Sequence, residues 1–466
     1  MNFLSPYFLI LYPVLLLVYR RLRKKGRTVL LLFESALFYV LMEPRFALLF
    51  FGEIVLTWVL AGRAAALRLE GGEQADKRRR LVTAIGVIVP LAVLAVFKYA
   101  GLFSDAFKGG IIPAGISFYT FQALSYVIDV SSGRTGHEKN PLYYALYLSF
   151  FPQLVAGPIE RAGDLLPQMK TLDRTPSGNE KLEGLSLMVR GYFKKVVIAD
   201  SIAALVDTVF SMEHPAGFTV LLGAILFSFQ IYGDFSGYTD IARGSSLLLG
   251  IRLMENFRMP YLSTSVSSFY RRWHISLNRW FRDYVYIPLG GSRRGKARHL
   301  VNILLVFSLS GLWHGSGLHY LFWGLSSGLL ICLEILTGTG KEQEMTAPVR
   351  AVRTILTFLL VSLCWIFFRA ENTGRALTLF SCLFSGGVSI PELAGVFGSV
   401  REAVLLIPAI LSLYLLDRES TGKEDLSVLY LRRRAAIFFT MGLLTVLTFL
   451  LHQNQGVDNA FIYFRF

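Results

Sequence analysis

The sequence predicts an all-α fold, a polytopic integral membrane protein in which residues 1–466 form a single multi-pass domain. Hydrophobic residues make up 53% of the chain and charged residues only 17%, whereas soluble domains carry about 25% charged residues. The apolar runs are continuous and lack the two-residue alternation of a transmembrane β-barrel. Their recurrence along the whole chain predicts several helices of roughly 20 residues that cross a lipid bilayer.

The formal net charge of +15 is explained by membrane topology. The basic residues lie in short loops between apolar runs, as the positive-inside rule predicts, so we do not expect a nucleic-acid partner. The three cysteines lie in apolar surroundings without CxxC spacing, which argues against disulfides and against a cysteine-bound metal.

The first predicted span covers residues 3–19 and is followed by a strongly basic segment, residues 20–27. A secretory signal peptide carries its charge before the apolar run, so this order predicts a retained anchor. The positive-inside rule then predicts a cell-membrane protein with its N-terminus outside and residues 20–27 in the cytoplasm.

The next segments alternate between apolar and polar composition. Spans are predicted at residues 29–42, 45–61, 81–97 and 111–130, with a turn at Glu43–Pro44, a basic cytoplasmic loop at 62–80 and an outer loop at 98–110. Residues 141–159 are apolar but are broken by Pro152 and by Gly157–Pro158. This break predicts a re-entrant element, because irregular backbone at membrane depth is tolerated only inside protein or beside water.

The second half of the chain continues this alternation. A polar loop is predicted at residues 160–183, and residues 185–210 predict a helix whose charged side chains indicate an oblique or interfacial course. Further apolar segments are predicted at residues 219–232, 245–251, 355–368, 404–416 and 436–451.

Residues 300–333 form a run of 34 residues without Asp, Glu, Lys or Arg that nevertheless contains two histidines. One straight helix of this length would overshoot a bilayer. Glycines around His314 predict two helices that meet at Trp313–His314–Gly315, with the imidazole facing the protein interior. Burying an ionisable group is costly, and histidine transfers protons near neutral pH, so a catalytic role is favoured over a packing role.

Residues 269–289 predict an amphipathic helix at the membrane interface. An aromatic face lies opposite Arg271, Asn278 and Arg282, and His274 lies near the edge of that polar face. Residues 271–298 contain eight Arg and Lys residues and one acid, which suits lipid headgroups or an acyl donor that carries phosphates.

Residues 232–240 form a polar cluster between apolar runs. Asp234 and Tyr238 are candidates for substrate binding, because carboxylates at membrane depth indicate function. The alternative is that Asp234 and Asp240 hold helices together by pairing with Arg243, Arg252 or Arg271, and the usual pairing of buried acids favours this structural role.

Common catalytic and phosphate-binding motifs are missing from the sequence. It contains no GxSxG, HExxH or Walker A motif, and neither His314 nor His319 has an acid within two helical turns. We therefore predict no metal site and no bound cofactor.

Several motifs, taken in order, resemble the membrane-bound O-acyltransferase family, and within it the alginate O-acetylation branch. They are PAGISFYTFQ (113–122), SYVID (125–129), FPQLVAGPI (151–159), DFSGY (234–238), WHISLNRW (273–280), YIPLGG (286–291), LWHG (312–315) and the aromatic segment 461–466. The chain departs from the branch pattern at residues 316–319 and at Arg465, which leaves the acceptor open.

The resemblance implies a helical bundle, with re-entrant and interfacial helices, around a central tunnel. It implies that His314 is catalytic and that His274 is a second important histidine. It further implies transfer of an acyl group from a cytosolic thioester to a hydroxyl group, and in this branch the acetylation of a polysaccharide that secreted or anchored SGNH-type partner proteins complete.

We therefore expect an O-acetyltransferase in which acetyl-CoA is the donor and His314 is the general base. His274 would orient a substrate, Asn278 and Trp313 would contact it, and Arg271, Arg282, Arg293, Arg294 and Lys296 would bind the donor phosphates. D-alanyl transfer to teichoic acid is an alternative, because that branch shares the histidine pair. A transporter or flippase is an alternative of another class, although no inverted repeat is visible.

Overall fold

The fold comes from a computed structural model that describes residues 3–103, 112–340, 344–397, 437 and 439–450. These residues form helices and include no β-strand, which confirms the all-α prediction. The α-helices are α1 (Pro6–Arg21), α2 (Lys24–Met42), α3 (Ala47–Glu70), α4 (Gly72–Phe103), α5 (Ile116–Ser132), α6 (Pro141–Ser149), α7 (Ala162–Met169), α8 (Gly178–Tyr192), α9 (Asp200–Ser211), α10 (Gly217–Leu248), α11 (Val266–Arg272), α12 (Ile275–Phe281), α13 (Lys296–His314), α14 (Leu318–Thr337), α15 (Ala347–Arg369), α16 (Thr373–Ser385) and α17 (Ile390–Phe397). Two π-helices, π1 (Phe193–Ala199) and π2 (Arg282–Tyr286), follow α8 and α12.

Five of the described helical segments are long and apolar enough to cross a membrane, namely Pro44–Glu70, Gly72–Leu102, Gly217–Leu248, Leu318–Thr337 and Ala347–Arg369. Large apolar side chains such as Leu48 and Val55 are exposed on them. Extended apolar surfaces of this kind are suited to lipid, and the chain is a multi-pass membrane protein.

The backbone divides into two compact units, and each is described by itself. The first comprises Met1–Met188 with Thr239–Met254, and the second comprises Val189–Tyr238 with Glu255–Phe466. The organisation of the whole protein as a single domain stays a prediction.

The broken segment predicted at residues 141–159 belongs to the first unit. Helix α6 ends at Ser149, and buried, non-helical backbone follows to Arg161. The backbone N–H of Phe151 donates to the hydroxyl of Ser35 at 3.2 Å, and the hydroxyl of Tyr147 donates to the carbonyl of Glu160 at 3.1 Å. The irregular backbone is therefore buried in protein and bonded by side chains, as the prediction required.

Several predictions of local structure were wrong. The polar loop expected at residues 160–183 contains α7 and the start of α8. The polar loop expected at residues 62–80 is helical, because α3 continues to Glu70 and α4 begins at Gly72, after a turn at Gly71 with a φ of +68°. The apolar segments around the polar cluster form one continuous helix, α10. The amphipathic helix expected at residues 269–289 breaks between α11 and α12.

Some predictions lie outside the described residues. These are the end of the outer loop (residues 104–110), the span at 404–416, the aromatic segment at 461–466 with Arg465, and parts of the span at 436–451. Within that last span, Phe439–Leu450 is a short apolar helix.

Candidate active site

The second unit contains the predicted corner at His314, because α13 ends at that residue and α14 begins at Leu318. The two helices pack closely through glycines. A Cβ atom on Gly311 would lie 2.2 Å from the carbonyl oxygen of Tyr320, and one on Gly324 would lie 2.2 Å from the carbonyl oxygen of Phe307. Only glycine permits this approach, so the hairpin fixes the position of the end of α13.

His314 is buried among aromatic side chains. The ring centroids of Trp313, Trp323 and Phe368 lie 4.8, 5.1 and 5.1 Å from that of the imidazole. The ring therefore faces protein and not lipid. The dipole of α13 favours positive charge at the C-terminal end of the helix, where His314 is the last residue.

His274 lies at the break between α11 and α12 and has left-handed backbone, with a φ of +44°. Such a conformation is uncommon for a residue other than glycine, and strained residues of this kind are enriched at functional sites. The side-chain amide of Asn278 holds the break by donating to the carbonyls of Tyr270, Trp273 and His274, at 2.8, 2.5 and 3.3 Å.

The His274 ring is enclosed as tightly as that of His314. Its centroid lies 4.7 Å from the ring of Phe235 and 6.1 Å from that of Trp313. Burial lowers the pKa of His274 to about 3, so the ring is neutral at physiological pH. A neutral imidazole donates from one nitrogen and accepts at the other, which suits a residue that orients a reacting group.

The two histidines line one small cavity of about 20 Å³. This cavity is lined by Tyr270, Trp273, His274, Leu277, Asn278, Val306, Phe307, Ser310, His314 and Trp323. The structure thus brings the two predicted catalytic residues together. Trp313 contacts both imidazole rings from outside the cavity wall.

A wide pocket of about 700 Å³ adjoins the small cavity. Both spaces are lined by Tyr270, Asn278, Val306 and Phe307. Four arginines line the wide pocket, namely Arg258, Arg271, Arg279 and Arg282. Of these, Arg271 and Arg282 were predicted from the sequence to bind the donor. An acyl donor that carries phosphates could therefore bind in the wide pocket and reach the histidines.

The arginines differ in their partners. Arg258 pairs with Glu255 at 2.6 Å and Arg282 pairs with Asp283 at 2.8 Å. Arg279 is exposed and forms no ion pair with any residue that the structure describes. Sequence reasoning missed Arg279, although it lies one helical turn before Arg282 in the same basic segment.

One face of α13 lines both spaces. Its lining side chains follow a helical spacing of three or four residues, in the order His299, Ile303, Val306 and Phe307, Ser310, His314. At 1.5 Å per residue, this face extends about 22 Å from His299 to His314. The predicted residues Arg293, Arg294 and Lys296 do not line either space.

Asp234 and Tyr238 lie on α10, outside the walls of both spaces. Asp234 pairs with Lys195 of π1 at 2.7 Å, and Lys195 also pairs with Asp200 at 2.6 Å. All three side chains are buried, which supports the structural alternative for Asp234. The partner is a lysine, and not one of the arginines that the sequence suggested.

In the first unit, the other acid of the predicted polar cluster, Asp240, lies 3.8 Å from Arg243. This pair agrees with the structural role that the sequence favoured. Among the described residues no group of three or more His, Cys, Asp or Glu side chains could hold a metal ion.

Comparison with known proteins connects this site to a family. The sequence model of the membrane-bound O-acyltransferase family matches residues 130–371, which include both histidines. The chain is 39% identical over 402 residues to the probable alginate O-acetylase AlgI of Pseudomonas aeruginosa, covering 83% of this chain and 75% of that protein.

Two further relatives have other names. A peptidoglycan O-acetyltransferase of Helicobacter pylori is 32% identical over 402 residues, covering 78% of this chain and 75% of that protein. A teichoic acid D-alanyltransferase of Bacillus subtilis is 31% identical over 261 residues, covering 53% of this chain and 65% of that protein. With the family match extending over both histidines and the basic pocket, the chain is an acyltransferase and belongs to the membrane-bound O-acyltransferase family.

Proposed function

We propose that this protein moves an acetyl group from acetyl-CoA to hydroxyl groups of an extracellular or cell-wall polysaccharide, directly or through a secreted or anchored SGNH-type partner. Acetyl transfer is supported by two relatives named for O-acetylation, whose alignments cover 75% of their own lengths. The D-alanyltransferase alignment covers only 53% of this chain. D-alanyl transfer is therefore the second candidate.

The observation that carries the proposal is the junction of the wide basic pocket with the small histidine cavity. Guanidinium groups bind phosphates bidentately. The pantetheine arm of coenzyme A is a long, flexible chain that separates the thioester from the phosphates. The face of α13 from His299 to His314, about 22 Å long, would accommodate such an arm.

In the proposed reaction, the acceptor hydroxyl oxygen attacks the thioester carbonyl carbon while His314 takes the hydroxyl proton. The carbon–sulfur bond then breaks, and the leaving thiolate takes the proton back from the imidazolium. The products are an acetyl ester and free CoA. General-base catalysis of this kind contributes typically about 10²–10⁴-fold to the rate, and His274 orients a reacting group.

We place the protein in the cell membrane, with the N-terminus outside and the basic pocket open to the cytoplasm. This orientation is supported by the basic residues that follow the first helix, because loops rich in Lys and Arg usually lie on the cytoplasmic side of the membrane. Labelling of a cysteine introduced at Lys25 by a membrane-impermeant maleimide in intact cells would contradict the orientation.

The test of the proposed base uses membrane vesicles that contain the protein and acetyl-CoA carrying ¹⁴C in its acetyl group. We expect His314→Ala to lower both CoA release and base-labile label in the polymer by at least about 10²-fold. His214→Ala is the matched control, since His214 is exposed and lines neither space. Wild-type rates in His314→Ala would contradict the proposal. So would a parallel reaction with a labelled D-alanyl thioester in which only that donor labels the polymer.

The proposed donor site has its own test. Replacing Arg279 by Gln is expected to raise KM for acetyl-CoA about tenfold or more, because a hydrogen bond to a charged group is lost. The short thioester S-acetyl-N-acetylcysteamine has no phosphates, so its KM is expected to stay unchanged in Arg279→Gln. Equal effects on both donors would show that the arginine does not bind phosphate.

A further inference from the structure

The small cavity between His274 and His314 has room for only a small group. Its volume is about 20 Å³, and a single water molecule needs about 10–15 Å³. A methyl group is similar in size to a water molecule. A thioester carbonyl placed beside His314 therefore leaves space for a methyl substituent and little more.

The walls of this cavity are held by packed aromatic rings. The ring of Trp273 stacks on Phe269 at a centroid distance of 5.4 Å and lies 5.2 Å from Trp365. The ring of Trp323 stacks on the same Trp365 at 5.4 Å, and Trp365 is fully buried. Because both walls pack on one fixed ring, they cannot move apart without disturbing a close-packed interior.

Leu277 distinguishes the small cavity from the wide pocket. Among the described residues, Leu277 is the one aliphatic side chain that lines the small cavity and does not also line the wide pocket. It is buried. It lies in the first turn of α12, just after the break at His274, and both side chains line the small cavity. Its methyl groups therefore limit the space beside the histidines.

We propose that Leu277, against the wall formed by Trp273 and Trp323, restricts the transferred acyl group to acetyl. This specificity-determining role rests on the proposed function, because it requires an acyl thioester at His314. One additional methylene in a fixed apolar pocket changes selectivity by about 10–200-fold.

The experiment measures kcat/KM for acetyl-, propionyl- and butyryl-CoA by release of the CoA thiol in membrane vesicles that contain the full-length protein and the polymer acceptor. In the wild type we expect acetyl-CoA to be preferred over propionyl-CoA by about 10–200-fold. Leu277→Ala removes the limiting methyl groups, so the preference is expected to fall at least about tenfold. Leu277→Val enlarges the cavity less than Leu277→Ala does, and it tests the same trend if the alanine variant does not fold.

Leu309→Ala is the matched control, because Leu309 is a partly exposed leucine of α13 that lines neither space. Its acyl preference is expected to equal that of the wild type. Equal turnover of all three donors by the wild type, or an unchanged preference in active Leu277 variants, overturns the acyl-size proposal alone. Failure of the wild type to release CoA from any donor overturns the proposed function, and the acyl-size proposal with it.

Discussion

Two ion pairs of nearly equal length offer a test of what burial does to charge in this protein. The Lys195 ammonium lies 2.7 Å from Asp234, and the Lys77 ammonium lies 2.7 Å from Glu73. The first pair is 2% and 4% exposed, whereas the second is 74% and 84% exposed. Replacing each lysine by methionine keeps most of the apolar side chain and removes the charge.

The expected magnitudes differ about tenfold. Lys195→Met leaves Asp200 and Asp234 buried without their shared cation, and breaking a buried pair costs about 3–5 kcal/mol. Lys77→Met removes an exposed i,i+4 pair that contributes at most about 0.5 kcal/mol. At the 2–4 °C per kcal/mol typical of domains of about 150–250 residues, Lys195→Met is expected to lower Tm by at most about 20 °C and by several degrees more than Lys77→Met.

The assay is thermal unfolding of the detergent-solubilised protein, followed by tryptophan fluorescence. Asp200→Asn serves as a second variant, because it leaves the pair between Lys195 and Asp234 in place and should lower Tm less than Lys195→Met. Equal Tm changes in Lys195→Met and Lys77→Met would refute the reasoning that burial, and not distance, determines the contribution of these pairs.

Two further predictions follow from the site. Asn278→Ala and Asn278→Asp both remove the amide that donates to three backbone carbonyls. Because His274 would then be misplaced, CoA release is expected to fall about 10²-fold in each variant. A wild-type rate of CoA release in the aspartate variant would contradict this prediction. Gly311→Ala is expected to reduce the yield of monodisperse protein in size-exclusion chromatography, because the added Cβ would lie 2.2 Å from a carbonyl oxygen. Gly52→Ala is the control: Gly52 has open space around it, so this variant is expected to elute as the wild type does.

The corner at His314 could be predicted because several local signals agree. A charge-free run too long for one span requires a break, and glycines on both sides of His314 place it. The break at His274 was missed because no glycine or proline marks it. The signal that could have found it is Asn278, whose side chain can reach carbonyls of the preceding turn.

Long-range pairing was less predictable than local structure. Lys195 and Asp234 are far apart in the sequence, and several arginines were equally plausible partners by charge alone. The wide pocket was found only in part, because Arg258 lies in an irregular segment where no helical periodicity relates it to Arg271 or Arg282.

The left-handed backbone at His274 has a consequence for mutagenesis of this protein. Alanine at this position would remove the imidazole but keep a Cβ atom in a conformation that side chains disfavour, whereas glycine adopts it without steric cost. His274→Gly therefore removes the imidazole ring without adding strain to the left-handed backbone at this residue. Any activity that free imidazole in the medium restores to the glycine variant would then report on the missing ring itself.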